Sequence, residues 1–95
     1  MFTQVHCIIA GKVQGVAYRD FTQRVAKDCE LTGWVKNRED GTVEVLAQGL
    51  PDNLKSFIEQ LHEGSVLASV DSVGVDWQTP AEHFDDFVVI FLGHE

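Results

Sequence analysis

The chain has 95 residues, of which 44% are apolar, and its net charge is −8 at neutral pH. A chain of this length predicts a single domain over residues 1–95 with a small core. No segment reaches the ~18 apolar residues of a membrane-spanning helix, and the first residues lack a signal-peptide pattern, so we expect a cytoplasmic protein without a membrane partner.

The charge is distributed unevenly along the chain. Residues 1–38 have a balance of +3, whereas residues 39–95 have a balance of −11. Nucleic-acid-binding domains normally present a broad basic face, so the acidic second part argues against nucleic acid as a partner. Together the size and the charge favour a monomer.

The first predicted element is a strand over residues 4–10, in which both faces carry apolar residues. A helix is predicted over residues 20–30, because apolar residues recur at every fourth position. These residues are Phe21, Val25 and Cys29. Gly33 is the expected point of chain reversal after this helix.

Two cysteines, Cys7 in the first strand and Cys29 in the first helix, are too few for a disulfide framework. Both stand where apolar residues are expected, which favours buried thiols. A bridge between them stays open if the helix covers the strand, but a reducing compartment disfavours it.

A loop with two glycines, Gly11 and Gly15, joins this strand to this helix and ends near Arg19. Backbone N–H groups of such a loop can converge on one anion, and the helix dipole adds partial positive charge. The arginine fork can meet two oxygens of a phosphate or carboxylate. The loop therefore predicts a site for a small oxyanion, although many junctions of this kind only turn the chain.

A β-hairpin is predicted next, with strands over residues 34–37 and 42–48 joined by Asp40-Gly41. Asn37 lies in the first of these strands, where asparagine is disfavoured. The turn does not need it, and its amide can hold a water and a substrate oxygen together. The alternative is that Asn37 only hydrates the end of the strand.

The second helix is predicted to begin at Pro51, with a cap from Asp52 or Asn53, and to end at Gly64. Its apolar stripe has the i, i+3, i+4, i+7 spacing of a core-facing helix. The stripe consists of Leu54, Phe57, Ile58 and Leu61. A fourth strand within residues 66–77, a loop over 78–86 and a closing strand over 87–92 complete the chain.

This order of elements predicts an α+β fold, a ferredoxin-like split βαβ sandwich (βαββαβ) with a short fifth strand. Both helices would cover one face of an antiparallel sheet, because few other arrangements keep the crossovers right-handed.

Two segments resemble the signature sequences of the acylphosphatases. The first covers residues 9–19, and the second begins with residues 33–37 and continues with Gly41, Val43 and Gly49. Their order and spacing match, and the resemblance extends over nearly the whole chain. It is weakest after residue 66. Tyr18 departs from the family pattern, which usually has Phe or Met there, and Arg38 follows Asn37 where the family also has smaller or polar residues.

The resemblance implies an activity and a set of site residues. Family members hydrolyse the mixed anhydride of a carboxylic acid and phosphoric acid, so the expected partners are a small acyl phosphate and inorganic phosphate as product. Arg19 would bind the phosphate, and Asn37 would position the attacking water. Backbone N–H groups of the loop would cradle the phosphate; these residues are Gln14, Gly15, Val16, Ala17, Tyr18 and Arg19.

Hydrolysis of an acyl phosphate can proceed with as few groups as Arg19, Asn37 and the loop N–H groups. The leaving carboxylate has a pKa of roughly 4, so no general acid is required. Phosphoryl transfer depends largely on positioning and charge stabilisation, and a phosphate oxygen can accept the water's proton. We expect no cofactor and no metal, because His62, His83 and His94 are scattered among acidic segments.

A second hypothesis is a non-catalytic module of the same fold that binds phosphate or carbamoyl phosphate, since acylphosphatase-like domains occur inside larger carbamoyl-transfer proteins. A metal chaperone of this fold would need a Cys-x-x-Cys loop, and an RNA-binding domain would need a basic sheet with aromatic platforms. The identity of the acyl group stays open.

Overall fold

The computed structural model describes residues 1–91. The alternating apolar residues form five strands, and the two apolar stripes form two helices. The elements are β1 (Thr3–Lys12), α1 (Tyr18–Asp28), β2 (Thr32–Asn37), β3 (Val43–Gly49), α2 (Pro51–Glu63), β4 (Ser69–Gln78) and β5 (Phe87–Ile90). The predicted order of elements and the split βαβ sandwich are confirmed.

The strands form one sheet in the order β4-β1-β3-β2-β5. The first four strands pair in antiparallel fashion, as predicted. The fifth departs from this prediction, because β5 pairs in parallel with β2. β4 lies at one edge of the sheet, and from its end the chain crosses to the opposite edge through residues 79–86. Because of this crossing, β5 runs in the same direction as β2.

The core lies between the sheet and the helices. On the central strands the buried residues alternate, as in Val5, Cys7 and Ile9 of β1, and they pack with residues of both helices in one cluster. Phe57 of α2 meets Phe87 of β5 edge to face, with ring centroids 6.2 Å apart. This contact links the second helix to the added edge strand.

The first helix begins at Tyr18, two residues before the predicted start. Tyr18 is fully buried and belongs to the core-facing stripe, so the helix gains half a turn at its N-terminus. The predicted reversal at Gly33 is wrong, because the left-handed residue after the helix is Glu30, with φ 59°. Gly33 instead lies within β2 at φ 139°, where a Cβ would stand 1.9 Å from the Leu46 carbonyl oxygen.

The second helix matches its predicted span, and Leu54, Phe57 and Leu61 are fully buried. The predicted cap is wrong. The N-cap is Leu50, it forms no side-chain capping bond, and Pro51 occupies the first turn. Pro51 lacks an N–H group, so one of the donors that a cap would satisfy is absent from the start.

The two cysteines are free thiols. Cys7 is completely buried, and this burial raises the pKa of its thiol to about 12, so it stays protonated near neutral pH. Cys29 is half-buried, which is more exposure than predicted, and its Sγ lies 3.7 Å from the Gln60 amide nitrogen.

A ladder of glutamine side chains holds the crossing between β4 and β5. Gln48 donates from Nε2 to the Glu82 carbonyl oxygen at 2.6 Å and to Gln4 at 3.0 Å, and its Oε1 accepts from the Phe84 N–H. Gln4 in turn donates to Gln78 at 2.6 Å. The crossing segment is thus bonded directly to Gln48 of β3, which Gln4 and Gln78 link in turn to β1 and β4.

The last two strands differ at their ends from the prediction. The fourth begins at Ser69, and Val66 before it is fully exposed. The fifth ends at Ile90, and the predicted end at residue 92 lies outside the described residues. Within residues 1–91, no helix has the length and apolar character needed to cross a membrane.

Candidate active site

The loop between β1 and α1 adopts a conformation suited to an anion. Gly15 and Ala17 are both left-handed, with φ of 74° and 60°. Left-handed residues set among right-handed ones turn neighbouring N–H groups toward one side of a loop. Among the described side chains, none caps the N-terminus of α1, which Ala17 precedes. A helix start of this kind favours a bound anion.

A cavity of about 140 Å³ lies at this helix N-terminus. This volume is sufficient for a tetrahedral oxyanion with a water beside it. Its lining residues come from the loop, from the first turn of α1 and from the ends of two strands: Val13, Gly15, Ala17, Tyr18, Arg19, Asp20, Asn37 and Phe91. The two side chains predicted to carry the chemistry, Arg19 and Asn37, are therefore brought into one cavity.

Asn37 reaches the cavity because it is the last residue of β2, paired with Val43 across the hairpin. The turn that follows is well held: Arg38 N–H donates to the Thr42 carbonyl at 2.9 Å, and Asp40 accepts from both the N–H and the hydroxyl of Thr42. The hydrogen bond from the Thr42 hydroxyl is the main cause that lowers the pKa of Asp40.

Gln14 connects the loop to this hairpin. Its Nε2 donates to the carbonyl oxygens of Arg38 at 2.8 Å and Thr42 at 2.9 Å. The Gln14 side chain therefore fixes the loop relative to Asn37, and a role of its backbone N–H in phosphate binding stays a prediction. Of the other cradle residues, Gly15, Ala17 and Tyr18 line the cavity, and Val16 packs against the core.

The Tyr18 hydroxyl has its partner in the core. It donates to the Leu61 carbonyl oxygen of α2 at 2.8 Å, and burial raises the pKa of this phenol well above its ordinary value. The Thr22 hydroxyl donates to the Tyr18 carbonyl. Tyr18, the residue that departs from the family pattern, thus links the two helices. Its hydroxyl bonds within the core and takes no part in the chemistry of the cavity.

Three lining residues had no predicted role: Val13, which is buried in the core, Asp20 and Phe91. Asp20 follows Arg19 in the first turn of α1, and Phe91 follows β5, with its ring centroid 4.8 Å from the Arg19 Cζ. Nothing in the sequence singles out Phe91 among the apolar residues of the closing segment. Only the parallel pairing of Lys36 with Ile90 brings the next residue beside Asn37.

A second hollow, of about 340 Å³, lies on the other side of Asn37. Its lining is charged and includes Lys36, Arg38, Glu39 and Glu44. Glu44 accepts from His6 Nε2 at 2.6 Å and lies 3.7 Å from the Lys36 ammonium. Asn37 therefore stands between a smaller cavity with an apolar edge and a larger charged one.

No group of three or more His, Cys, Asp or Glu side chains suited to a metal ion occurs among residues 1–91. His62 and His83 lie within this range, and His94 lies outside the described residues.

We expect Gln14→Ala to lower kcat/KM by about tenfold, because loss of the two hydrogen bonds lets the loop shift relative to Asn37. The free energy of unfolding should fall by about 1–3 kcal/mol, from two bonds at roughly 0.5–1.5 kcal/mol each. Steady-state kinetics and urea unfolding measure both effects.

Gln23→Ala is the matched control, because the Gln23 amide donates to the Phe87 carbonyl at 3.0 Å and contacts neither the loop nor the hairpin in that bond. Full activity in Gln14→Ala, or an equal loss in Gln23→Ala, would contradict a role for Gln14 in setting the site.

The fold and the cavity place this protein in a class of small α+β sandwiches that carry an arginine and an asparagine at one end of the sheet. The family model for acylphosphatases matches residues 5–89. An acylphosphatase of Salinibacter ruber is 46% identical over 86 residues, which cover 90% of each chain. The chain therefore belongs to the acylphosphatase family of enzymes.

Solved structures agree with this assignment. The crystal structure of the acylphosphatase from Bacillus subtilis is similar with a TM-score of 0.91 and 40% identity, covering 96% of this chain and 100% of that one. The structure of HypF from T. kodakarensis is similar with a TM-score of 0.82 and 30% identity, covering 95% of this chain and 12% of that one. The same fold thus stands alone in one relative and forms a small part of another.

Proposed function

We propose that this enzyme hydrolyses the carboxyl–phosphate bond of acyl phosphates to a carboxylate and inorganic phosphate, in the cavity shared by Arg19 and Asn37. The observation that carries the proposal is that these two side chains, from different elements, line one cavity at an uncapped helix N-terminus. Loop, arginine and amide are then all within reach of one phosphate-sized ligand.

The phosphate group occupies the cavity against the loop and the start of α1. Arg19 donates to two phosphate oxygens through its planar fork, and the backbone N–H groups of residues 14–19 donate to the others. These donors stabilise the negative charge that the equatorial oxygens carry in the transition state. The left-handed residues Gly15 and Ala17 supply the loop shape that this role needs.

Asn37 holds the attacking water. Its amide offers donors and an acceptor, so it can bind a water and a phosphate oxygen at the same time. The water oxygen forms a bond to phosphorus while the bond from phosphorus to the acyl oxygen breaks. The carboxylate leaves with the bonding electrons, and the water's proton passes to a phosphate oxygen. This route needs no protein acid or base, no cofactor and no metal.

A direct test is hydrolysis of benzoyl phosphate by the purified protein in the presence of EDTA. We expect turnover, with inorganic phosphate as a competitive inhibitor. Hydrolysis is followed by the loss of benzoyl phosphate absorbance and by the phosphate released. Absence of turnover with or without added Mg²⁺ would refute the proposed activity, and restoration only by Mg²⁺ would refute the metal-free route.

The second candidate function is a non-catalytic module that binds phosphate or carbamoyl phosphate, and the observation that favours a module is that the same fold forms only 12% of the HypF chain. A folded protein that binds phosphate but turns over neither benzoyl phosphate nor carbamoyl phosphate would support this candidate. Faster turnover of carbamoyl phosphate than of longer acyl phosphates would instead indicate an enzyme adapted to the carbamoyl group.

The protein is further proposed to act as a cytoplasmic monomer that binds neither nucleic acid nor membrane. The net charge of −8 and the two free thiols support this proposal, because acidic surfaces repel nucleic acids and free thiols persist in reducing compartments. Sedimentation equilibrium tests the oligomeric state.

A further inference from the structure

We propose that Phe91 is a specificity-determining residue, whose ring forms the apolar wall that the substrate's acyl group contacts. The enzyme then prefers acyl phosphates with an apolar or aromatic acyl group over those with a small or charged one. This inference rests on the proposed function, because it assigns the second part of the substrate to the same cavity.

The first support is the position of Phe91. It follows β5, whose parallel register pairs Lys36 with Ile90. Phe91 therefore stands beside the end of β2, where Asn37 projects into the cavity, and it lines that cavity itself. A substrate held by Arg19 and Asn37 has this ring beside it.

The second support is the distance to Arg19. The guanidinium carbon lies 4.8 Å from the ring centroid of Phe91. A phosphate oxygen bound by that guanidinium lies about 2.8 Å from one of its nitrogens. The acyl carbon is two bonds from the phosphorus atom, so an acyl group directed toward β5 reaches contact distance of the ring, about 4 Å.

The third support is exposure. Phe91 is 65% exposed, whereas Val13 and Tyr18, which also line the cavity, are each 1% exposed. An exposed aromatic ring gains little for the fold, but it can bury apolar area when a ligand covers it. Arg19 over the ring leaves much of its surface open to a second contact.

The other direction for the acyl group leads to the hollow beyond Asn37. This hollow is lined by Lys36, Arg38, Glu39 and Glu44, so it presents charges of both signs. An apolar acyl group would have to desolvate those charges without replacing their interactions, which is unfavourable. The Phe91 side therefore suits apolar acyl groups, and the charged hollow would suit an acyl group with a terminal carboxylate.

The test compares kcat/KM for benzoyl phosphate and acetyl phosphate in the wild type, Phe91→Ala and Phe91→Tyr. We expect Phe91→Ala to lower kcat/KM for benzoyl phosphate by about tenfold, mostly through KM, and for acetyl phosphate by less than about twofold. Phe91→Tyr keeps the ring and should keep the wild-type ratio. Phe2→Ala is the matched control, because Phe2 is also exposed, at 53%, and lies before the first residue of β1, whereas the loop of the cavity follows the last residue of that strand.

Each outcome decides the proposal. Equal losses of kcat/KM for both substrates in Phe91→Ala would overturn it, because Phe91 would then act only through Arg19 or through the fold. No loss for either substrate would overturn it as well. A fall in the ratio that occurs in Arg38→Ala but not in Phe91→Ala would also overturn it and assign the acyl group to the charged hollow. Wild-type protein that hydrolyses neither substrate would refute the proposed function itself, which is a distinguishable result.

Discussion

Asn37→Ala should lower kcat for benzoyl phosphate by about 10²–10³-fold, the range seen when one group that positions a reacting oxygen is removed. The inhibition constant for inorganic phosphate should change little, because the loop and Arg19 remain. The reason is that Asn37 orients the water and contributes less to binding the phosphate. Steady-state kinetics with phosphate as inhibitor measures both quantities.

The control for this variant is Asn53→Ala, which changes the same residue type in α2, away from the cavity. Circular dichroism and thermal unfolding establish that Asn37→Ala remains folded. Normal activity in folded Asn37→Ala would refute the mechanism, since no other described side chain of the cavity is assigned to the water.

Arg19→Ala should lower kcat/KM by about 10³-fold or more and should abolish competition by phosphate, because one group supplies both ground-state binding and transition-state charge stabilisation. Arg19→Lys should recover only part of the activity, since an ammonium ion cannot donate to two phosphate oxygens as a planar fork. Isothermal titration with phosphate and kinetics with benzoyl phosphate test the two effects.

The control here is Arg24→Ala in the same helix, whose guanidinium carbon lies 5.7 Å from the Phe21 ring centroid and outside the cavity lining. Full activity in Arg19→Lys would show that a single positive charge suffices. Retained phosphate inhibition in Arg19→Ala would show that the loop N–H groups bind the anion unaided.

Much of the fold follows from local patterns. The apolar stripe of α2, the alternation in β1 and β3, and Asp40-Gly41 in the hairpin each dictate one element, and all are present. Arg19 and Asn37 could also be selected as candidate site residues from the sequence, because the two signature segments contain them. The two residues meet in one cavity because α1 packs against β2 in the folded chain.

What could not be predicted depends on long-range pairing. No local signal indicates that β5 lies parallel to β2, because the last strand could pair with either edge of the four-stranded sheet. The position of Phe91 at the cavity follows from that choice alone. The start of α2 and the end of α1 show a different limit of local patterns. Leu50 and Glu30 occupy the capping and left-handed positions there, although Asp, Asn or Gly have the better propensity for them.

The central claim is that one phosphate-sized ligand binds the loop, Arg19 and the end of β2 together. Nuclear magnetic resonance titration of the ¹⁵N-labelled protein with inorganic phosphate tests it most directly. We predict saturable shifts at the backbone amides of residues 14–19, at the Arg19 side chain and at the Asn37 amide, with none at the distant end of the sheet near Gln48. Saturable shifts centred elsewhere, or an unaffected Asn37 amide, would contradict the two-part site.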